Sequence, residues 1–299
     1  VGGADAGKFQ IDAATGLLHF VVPPDYENPT DSGANNVYDV TVQVSDGTHT
    51  DTQAIAVTVT NVVSELVVTT AADTADGDTS SIANLINNKG ADGKISLREA
   101  ILAANNTAGA DVITFAIGSG AHTINLTAAL PTITSVIHID GDSQPGFAGQ
   151  PLIDLNGAAA GSSAIGLYFS GSGSAGSSVR GLAVNGFHSS GIRVESTSNV
   201  IIAGNYLGTN LAGTASSGNQ VGVVLYDASN NTIGGTTAAD RNLISGNTVD
   251  GVQIFGTSAT GNLVAGNYIG LDVTGSVDLG NTNQGVAIFG GASNNTVGG

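Results

Sequence analysis

One stretch decides the fold of this chain: it reads Ala203-Gly204-Asn205-Tyr206-Leu207-Gly208 and recurs further along as Ala265-Gly266-Asn267-Tyr268-Ile269-Gly270. A second stretch, Ala228-Ser229-Asn230-Asn231-Thr232-Ile233-Gly234-Gly235, recurs as Ala292-Ser293-Asn294-Asn295-Thr296-Val297-Gly298-Gly299. The shift from 203 to 265 is slightly smaller than the shift from 228 to 292, so the repeating unit accepts small loop insertions, as stacked repeats do. The last third of the chain is therefore predicted to be a repeat array.

Short apolar runs that open on glycine occur inside each unit. Four of them follow one another at a spacing of about 30 residues, so two coils make one repeat. They are too short for helices and rich in β-branched residues, and Gly, Asn, Ser and Thr fill the gaps, which favours strands joined by tight turns. Asn and Gly accept the positive φ that such turns require. The runs are Gly191-Ile192-Arg193-Val194, Gly222-Val223-Val224-Leu225, Gly251-Val252-Gln253-Ile254 and Gly285-Val286-Ala287-Ile288.

A single coil of this kind cannot bury an apolar face, whereas coils stacked at about 4.8 Å build a continuous core with parallel sheets around it. The pattern therefore predicts an all-β fold, a parallel β-helix, over residues 136–299. The repeat blocks resemble the right-handed parallel β-helix repeats of large bacterial surface and secreted proteins. That resemblance implies a right-handed solenoid outside the cell, and it indicates fold better than activity.

The charge of the chain is strongly acidic, with 24 Asp and Glu against 7 Lys and Arg and a formal net charge of −17. The acids are concentrated before the repeat, where divalent cations are a plausible counter-charge, although solubility outside the cell explains them equally. No basic stripe is present for nucleic acid or anionic lipid. No apolar run is long enough to predict a membrane span, and the absence of Cys excludes disulfides.

Residues 1–63 contain two predicted hairpins. Apolar and polar residues alternate in 37–44 and again in 54–59, with a turn at Asp46-Gly47-Thr48-His49 between them. A tighter hairpin is predicted over 9–20.

These pieces and the block Asp25-Tyr26-Glu27 resemble, in this order, a bacterial cadherin-like domain, which implies a partial β-sandwich. In that family the corresponding acids bind calcium, which assigns Asp25, Glu27 and Asp46 as Ca²⁺ ligands. The alternative is that they are solvated turn acids.

Residues 64–135 contain the one predicted helix, over 95–105. Ser96 is its N-cap and Glu99 follows three residues later, which is the pattern of a capping box. The block resembles the SLREA region at the start of β-helices in bacterial surface proteins, and this implies a cap over the first coil. In an alternative interpretation, Asp92 and Glu99 belong to an EF-hand-like loop that binds Ca²⁺.

No catalytic residue is assigned. A polysaccharide lyase needs a calcium-bound acid cluster beside a basic residue, and a glycoside hydrolase needs two carboxylates about 5–9 Å apart. The acids of the repeat do not recur at equivalent coil positions, and Arg193 and Glu195, two residues apart on one strand, are interpreted as an ion pair. Asp240-Arg241 and Asp272 lie in inserted loops. We therefore expect no enzyme, with those two classes as the alternative.

The sequence thus predicts three parts: a partial cadherin-like β-sandwich (1–63), a cap with the first irregular coils (64–135) and the β-helix (136–299). The expected function is an extracellular structural or adhesive segment of a large bacterial surface protein, a stalk, adhesin or filament component. Its expected partners are further domains or copies of the same protein. Since the chain ends on a repeat motif, we expect it to continue or to assemble end to end. The alternative function is binding or degradation of a polysaccharide.

Overall fold

The computed structural model describes residues 1–24, 26, 29–60 and 64–298. The chain divides into two compact units, Val1–Val63 and Ser64–Gly299. Among the described residues, no helix combines the length and the apolar character needed to cross a membrane.

The first unit contains two antiparallel hairpins, as the sequence predicted. β1 (Phe9–Ile11) pairs with β2 (Leu18–Phe20), and β3 (Val37–Ser45) pairs with β4 (Thr50–Thr58). A single 3₁₀ turn, Ala6–Lys8, precedes β1.

Three aromatic rings connect the two hairpins. Phe20 on β2 lies 4.4 Å from Phe9 and 5.1 Å from Tyr38 of β3, measured between ring centroids, and the contact with Tyr38 is edge-on. Tyr38 is fully buried. Edge-on and tilted ring pairs of this kind stabilise a small core beyond the area they bury.

The second unit is built on three parallel sheets, called here sheets I, II and III, and in each of them the spatial order of the strands follows the chain. Sheet I contains β5 (Ser64–Val68), β6 (Ala110–Phe115), β8 (Val136–Asp140), β11 (Ser178–Arg180), β14 (Ile201–Ala203), β17 (Thr232–Gly234), β20 (Leu263–Ala265) and β23 (Thr296–Val297). Sheet II contains β7 (His122–Asn125), β9 (Ile153–Asn156), β12 (Leu182–Asn185), β15 (Tyr206–Leu207), β18 (Leu243–Ile244) and β21 (Tyr268–Ile269). Sheet III contains β10 (Leu167–Ser170), β13 (Ser190–Glu195), β16 (Val221–Tyr226), β19 (Val252–Phe255) and β22 (Val286–Phe289).

From β8 onwards the chain visits sheets I, II and III in turn, one strand at a time. Val223 of β16 stands opposite Val252 of β19, which in turn stands opposite Val286 of β22. One round through the three sheets therefore runs from Val223 to Val252, and the next, slightly longer, runs from Val252 to Val286. The predicted mostly-β class with parallel strands is confirmed at this level.

One face of each sheet is buried in a common core. Ile192, Val223 and Val252 occupy successive strands of sheet III in register, and all three are fully buried. β-branched side chains fit this environment because they pack well on a pleated surface. The same core continues from Leu66 to Val264.

Buried and half-buried asparagines line up where the chain passes from one sheet to the next. Between sheets I and II, the backbone N–H and Nδ2 of Asn205 both donate to Oδ1 of Asn242, at 2.9 and 3.2 Å. Asn242 donates in the same way to Asn267, at 3.1 and 2.9 Å. The other two ladders are Asn219, Asn247 and Asn281 between sheets II and III, and Asn231, Asn262 and Asn295 between sheets III and I.

These ladders give the repeated asparagines a role that the sequence did not reveal. Asn230 does adopt the expected positive φ of 56°. Its neighbour Asn231 instead donates to Asn262 of the next round of the chain. A buried amide is stable only when its donors and acceptors are satisfied, and here the adjoining round satisfies them.

Two short helices pack at the start of this unit. In α2 (Leu97–Asn105) the predicted capping box is confirmed, because Ser96 Oγ accepts from the N–H of Glu99 and the Glu99 carboxylate accepts from the N–H of Ser96. The prediction of a single helix was incomplete. α1 (Ile82–Asn87) also forms, capped by Ser81, and it is too short to show a helical period.

Candidate functional site

The three calcium ligands assigned in the first unit are only partly visible. Asp25 and Glu27 lie outside the described residues. Asp46 lies in the β3–β4 turn, where its Oδ1 accepts from the N–H groups of His49 at 2.7 Å and of Thr48 at 2.8 Å. These bonds, with that of His49 the largest cause, lower the pKa of Asp46. Asp46 thus closes its own turn, and its role in binding calcium stays a prediction.

Asp92 and Glu99 have separate surroundings. Glu99 is almost completely buried, and its Oε1 accepts from the N–H groups of Asp76 and Gly77. Its Oε2 accepts from the N–H and the hydroxyl of Ser96. A carboxylate has about four acceptor positions, so the protein occupies all of those of Glu99. Asp92 is exposed and accepts from the N–H of Lys94 at 2.7 Å.

The calcium prediction at Asp92 and Glu99 also stays a prediction. Within 1–24, 26, 29–60 and 64–298, no group of three or more His, Asp or Glu residues is arranged to hold a metal ion.

Two buried acids of the first unit were not recognised in the sequence. Asp5 accepts from the N–H of Ser32 at 2.6 Å and from the N–H of Asp39 at 2.8 Å. Asp31 accepts from three turn N–H groups, of which that of Asn35 does most to lower its pKa. The Asp31-Ser32-Gly33 sequence is a turn signal, whereas nothing local marks Asp5.

A cavity of about 230 Å³ lies on the face of sheet II that is turned away from the main core. Tyr206, Leu243 and Tyr268, from successive strands, stand opposite one another and form its floor. The connecting segments 141–151, 235–241 and 271–280 supply its walls. Its lining includes Asp142, Phe147, Gln150, Arg241 and Val273.

Arg241 lies across one wall of this cavity. Its Cζ is 4.2 Å from the ring centroid of Tyr268, and its Nε donates to the carbonyl oxygen of Gly266 at 3.1 Å. Its two Nη groups make no hydrogen bond to any described residue. A guanidinium that is stacked on a ring keeps a rigid pair of donors in one plane. Arg241 therefore presents a fixed, charged fork at the cavity.

Tyr206 presents a second polar group at the cavity. Its side chain lines the cavity and is 7% exposed. Its hydroxyl makes no hydrogen bond to the part of the chain that the structure describes, and it is open to the solvent in the cavity. Burial raises the pKa of Tyr206, and a tyrosine hydroxyl can both donate and accept a hydrogen bond.

Asp142 supplies an acceptor at the cavity. Its Oδ2 accepts from Nε of Arg180 at 2.7 Å. Burial raises the pKa of Asp142, and the charge of Arg180 opposes that shift. The cavity thus combines forked donors, a carboxylate and an apolar floor, which suits a small polar molecule with one apolar face.

The exposed face of sheet III carries a row of aromatic and charged side chains. Arg193 and Glu195 form the predicted ion pair, at 2.7 Å, and the hydroxyl of Tyr168 donates to Glu195 at 2.8 Å. Further along, Tyr226 stacks on Phe255 with ring centroids 4.7 Å apart. Phe255 stacks on Phe289 at 4.9 Å. Because the charges of the ion pair satisfy each other, this face offers fewer open donors than the cavity.

One feature of the sequence indicates the cavity. The inserted segments 235–241 and 271–280 flank successive strands of sheet II. Insertions on the same side of a repeat array frequently mark its binding face. Tyr206 and Tyr268 also occupy the same position of the repeated stretch, which places them on one row.

No protein-family model, no curated protein and no solved structure matches the chain.

Proposed function

We propose that the chain is a structural or adhesive segment of an extracellular bacterial surface protein, and that its second unit is a right-handed parallel β-helix. The observation that carries this proposal is the regular growth of all three sheets by one strand per round, with an asparagine ladder at each passage between them. Because each coil of such a fold contacts mainly its neighbours, length can be added without redesigning a core. That property suits a stalk.

Deletion of one complete coil tests the fold. Removal of 223–251 joins Gly222 to Val252, which stands at the position of Val223 in the next strand. We expect the shortened chain to keep a β-type circular dichroism spectrum and cooperative unfolding. Removal of 223–237, about half a coil, is the control and should abolish both. Equal behaviour of the two deletions would contradict a coil as the unit of structure.

Localisation is tested on cells of the source organism. An antibody raised against the folded chain should label intact cells, and permeabilisation should add little signal. Labelling that requires permeabilisation would contradict the extracellular assignment.

The first unit is proposed to be a partial cadherin-like domain that binds Ca²⁺ through Asp25, Glu27 and Asp46. Asp46 lies directly after β3 and is exposed, so its carboxylate is accessible to an ion, and this supports the proposal. Calorimetric titration with Ca²⁺ should give saturable heat that Asp46→Asn weakens. Asp51→Asn, an exposed acid of β4, is the matched control. No saturable heat, or an equal effect of both variants, would refute calcium binding at Asp46.

A further inference from the structure

Two polar groups at the sheet II cavity make no hydrogen bond to any described residue. They are the Nη groups of Arg241 and the hydroxyl of Tyr206, and both residues line the cavity. Both groups are open to the solvent in the cavity rather than buried. Because both can donate, they suit a ligand that supplies a hydrogen-bond acceptor.

The charges that line the cavity indicate an acceptor with one negative charge. Asp142 is paired with Arg180, which leaves the charge of Arg241 without a counter-charge among the described side chains at the cavity. A carboxylate matches a guanidinium fork in both charge and geometry. The charge of a phosphate monoester, about −1.5 to −2, would exceed the single positive charge of Arg241.

The rest of the cavity indicates the body of the ligand. Asp142 accepts hydrogen bonds, and Gln150 offers both a donor and an acceptor, while Leu243 and Val273 give an apolar surface. A sugar ring has this combination, with hydroxyls at its edge and C–H groups on one face. The volume of about 230 Å³ is below the roughly 300–1,000 Å³ of pockets for drug-sized ligands, which fits a single ring.

We propose that this cavity binds one sugar-acid residue, a hexuronate, whose carboxylate accepts hydrogen bonds from Arg241 and Tyr206 and whose hydroxyls bond to Asp142. The site lies on sheet II, so it is independent of the calcium assignment in the first unit. It adds a defined ligand class to the structural function proposed above.

The test is a titration of the full chain, followed by NMR or calorimetry, with four probes. Galacturonate and glucuronate are the sugar acids, galactose is the uncharged counterpart, and benzoate is a carboxylate on a ring without hydroxyls. We expect saturable binding of at least one sugar acid. Galactose lacks the carboxylate and benzoate lacks the hydroxyls, so each should bind at least about tenfold more weakly.

Two variants connect the binding to the proposed contacts. Arg241→Gln should weaken sugar-acid binding by about tenfold to a hundredfold, and Tyr206→Phe by about tenfold. Arg193→Gln and Tyr226→Phe, on the exposed face of sheet III, make the same chemical changes elsewhere and should leave binding unchanged. Circular dichroism checks whether each of the four variants folds. If Arg241→Gln does not fold, the comparison of Tyr206→Phe with Tyr226→Phe decides.

Several outcomes would overturn the proposal. If none of the four probes shows saturable binding, only solvent occupies the cavity. Equal binding of galactose excludes the carboxylate contact, and stronger binding of benzoate excludes a sugar. Equal losses in the cavity variants and in their matched controls place the binding elsewhere on the chain. None of these results bears on the one-coil deletion, so the structural function stands or falls separately.

Discussion

Asparagine has two different roles in this chain at the level of single residues. Asn230 bends the backbone through a positive φ, whereas Asn231, Asn242 and Asn247 belong to ladders and are buried. Oδ1 of Asn242 accepts from two groups of Asn205, and its Nδ2 donates to Ile202 and to Asn267. The amide is thus satisfied only by atoms from neighbouring rounds of the fold.

Replacement of a ladder asparagine should therefore be costly. Asn242→Ala leaves several buried groups without partners, and we expect it to lower the free energy of unfolding by about 2–4 kcal/mol. Urea unfolding followed by circular dichroism measures the change. Asn283→Ala is the matched control, because Asn283 is exposed and its side chain makes no hydrogen bond to the described residues. A similar loss in both variants would show that the ladder adds no stability.

Glu99 offers a second prediction at a single residue. Glutamine has one acceptor oxygen where glutamate has two, so Glu99→Gln leaves two N–H or O–H donors facing an amide nitrogen. We expect a loss of about 2–3 kcal/mol.

Thermal unfolding of Glu99→Gln in Ca²⁺ and again in chelator distinguishes a structural role of Glu99 from calcium binding. We expect the same loss in both conditions, because the partners of Glu99 are protein groups. Glu65→Gln, an exposed acid of β5, is the control. A loss confined to the calcium-containing sample would instead show that Glu99 binds the ion.

The sequence identified the roles of some of these residues and not of others, for a physical reason. Ser96 and Glu99 are close neighbours in the chain, so a local capping pattern identifies both. Asp5 and Asn242 bond to partners that are distant in the sequence, Ser32 and Asn205, and only the fold brings them together. Tyr206 was visible as a repeated residue, but the cavity that it lines is built from segments of different rounds of the chain.

At the level of elements, a partly buried carboxylate on β9 gives sheet II a defined pH response. Burial raises the pKa of Asp154, although hydrogen bonds from Asn185 and Thr123 oppose that shift. The folded state therefore holds this proton more tightly than the unfolded chain does. The stability that this contributes is complete below the ordinary carboxyl pKa and is lost as the pH rises through the raised pKa of Asp154.

We predict that two variants change the dependence of stability on pH in opposite directions. Relative to wild type, Asp154→Asn should remove that loss of stability with rising pH, as measured by urea midpoints between about pH 3 and about pH 7. Asp78 is the control, since Ser80 lowers its pKa. Asp78→Asn should remove stability that is present at higher pH and lost as the pH falls. Identical slopes for the two variants would contradict the assigned shifts.

Elements were predicted best where a local period is strong. The alternation in β3 and β4 and the glycine-led runs of sheet III indicated those strands correctly. α1 was missed because it is short. β15 and β21 lie in the repeated stretch that decided the fold, but they and β18 are too short to show a period of their own, so the sequence did not identify them as strands. These three strands form the floor of the cavity.

For the whole molecule, the spacing of repeats was the informative quantity. A period of about 30 residues is too long for hairpins, and it predicted parallel strands that return to the same sheet. The break at residue 63 coincides with a change in sequence character, and the structure divides the chain at the same place. The further division at residue 135 stays a prediction, because a single core runs through it from Leu66 to Val264.

The three asparagine ladders also have a mechanical consequence. Each joins only neighbouring rounds of the chain, so a force that pulls on the last round loads one set of bonds at a time. Under tension, the second unit should lengthen in steps rather than in a single rupture. Each step would release one round, which corresponds to about 100 Å of fully extended chain. In the stalk that we propose, lengthening in steps would absorb a sudden load gradually.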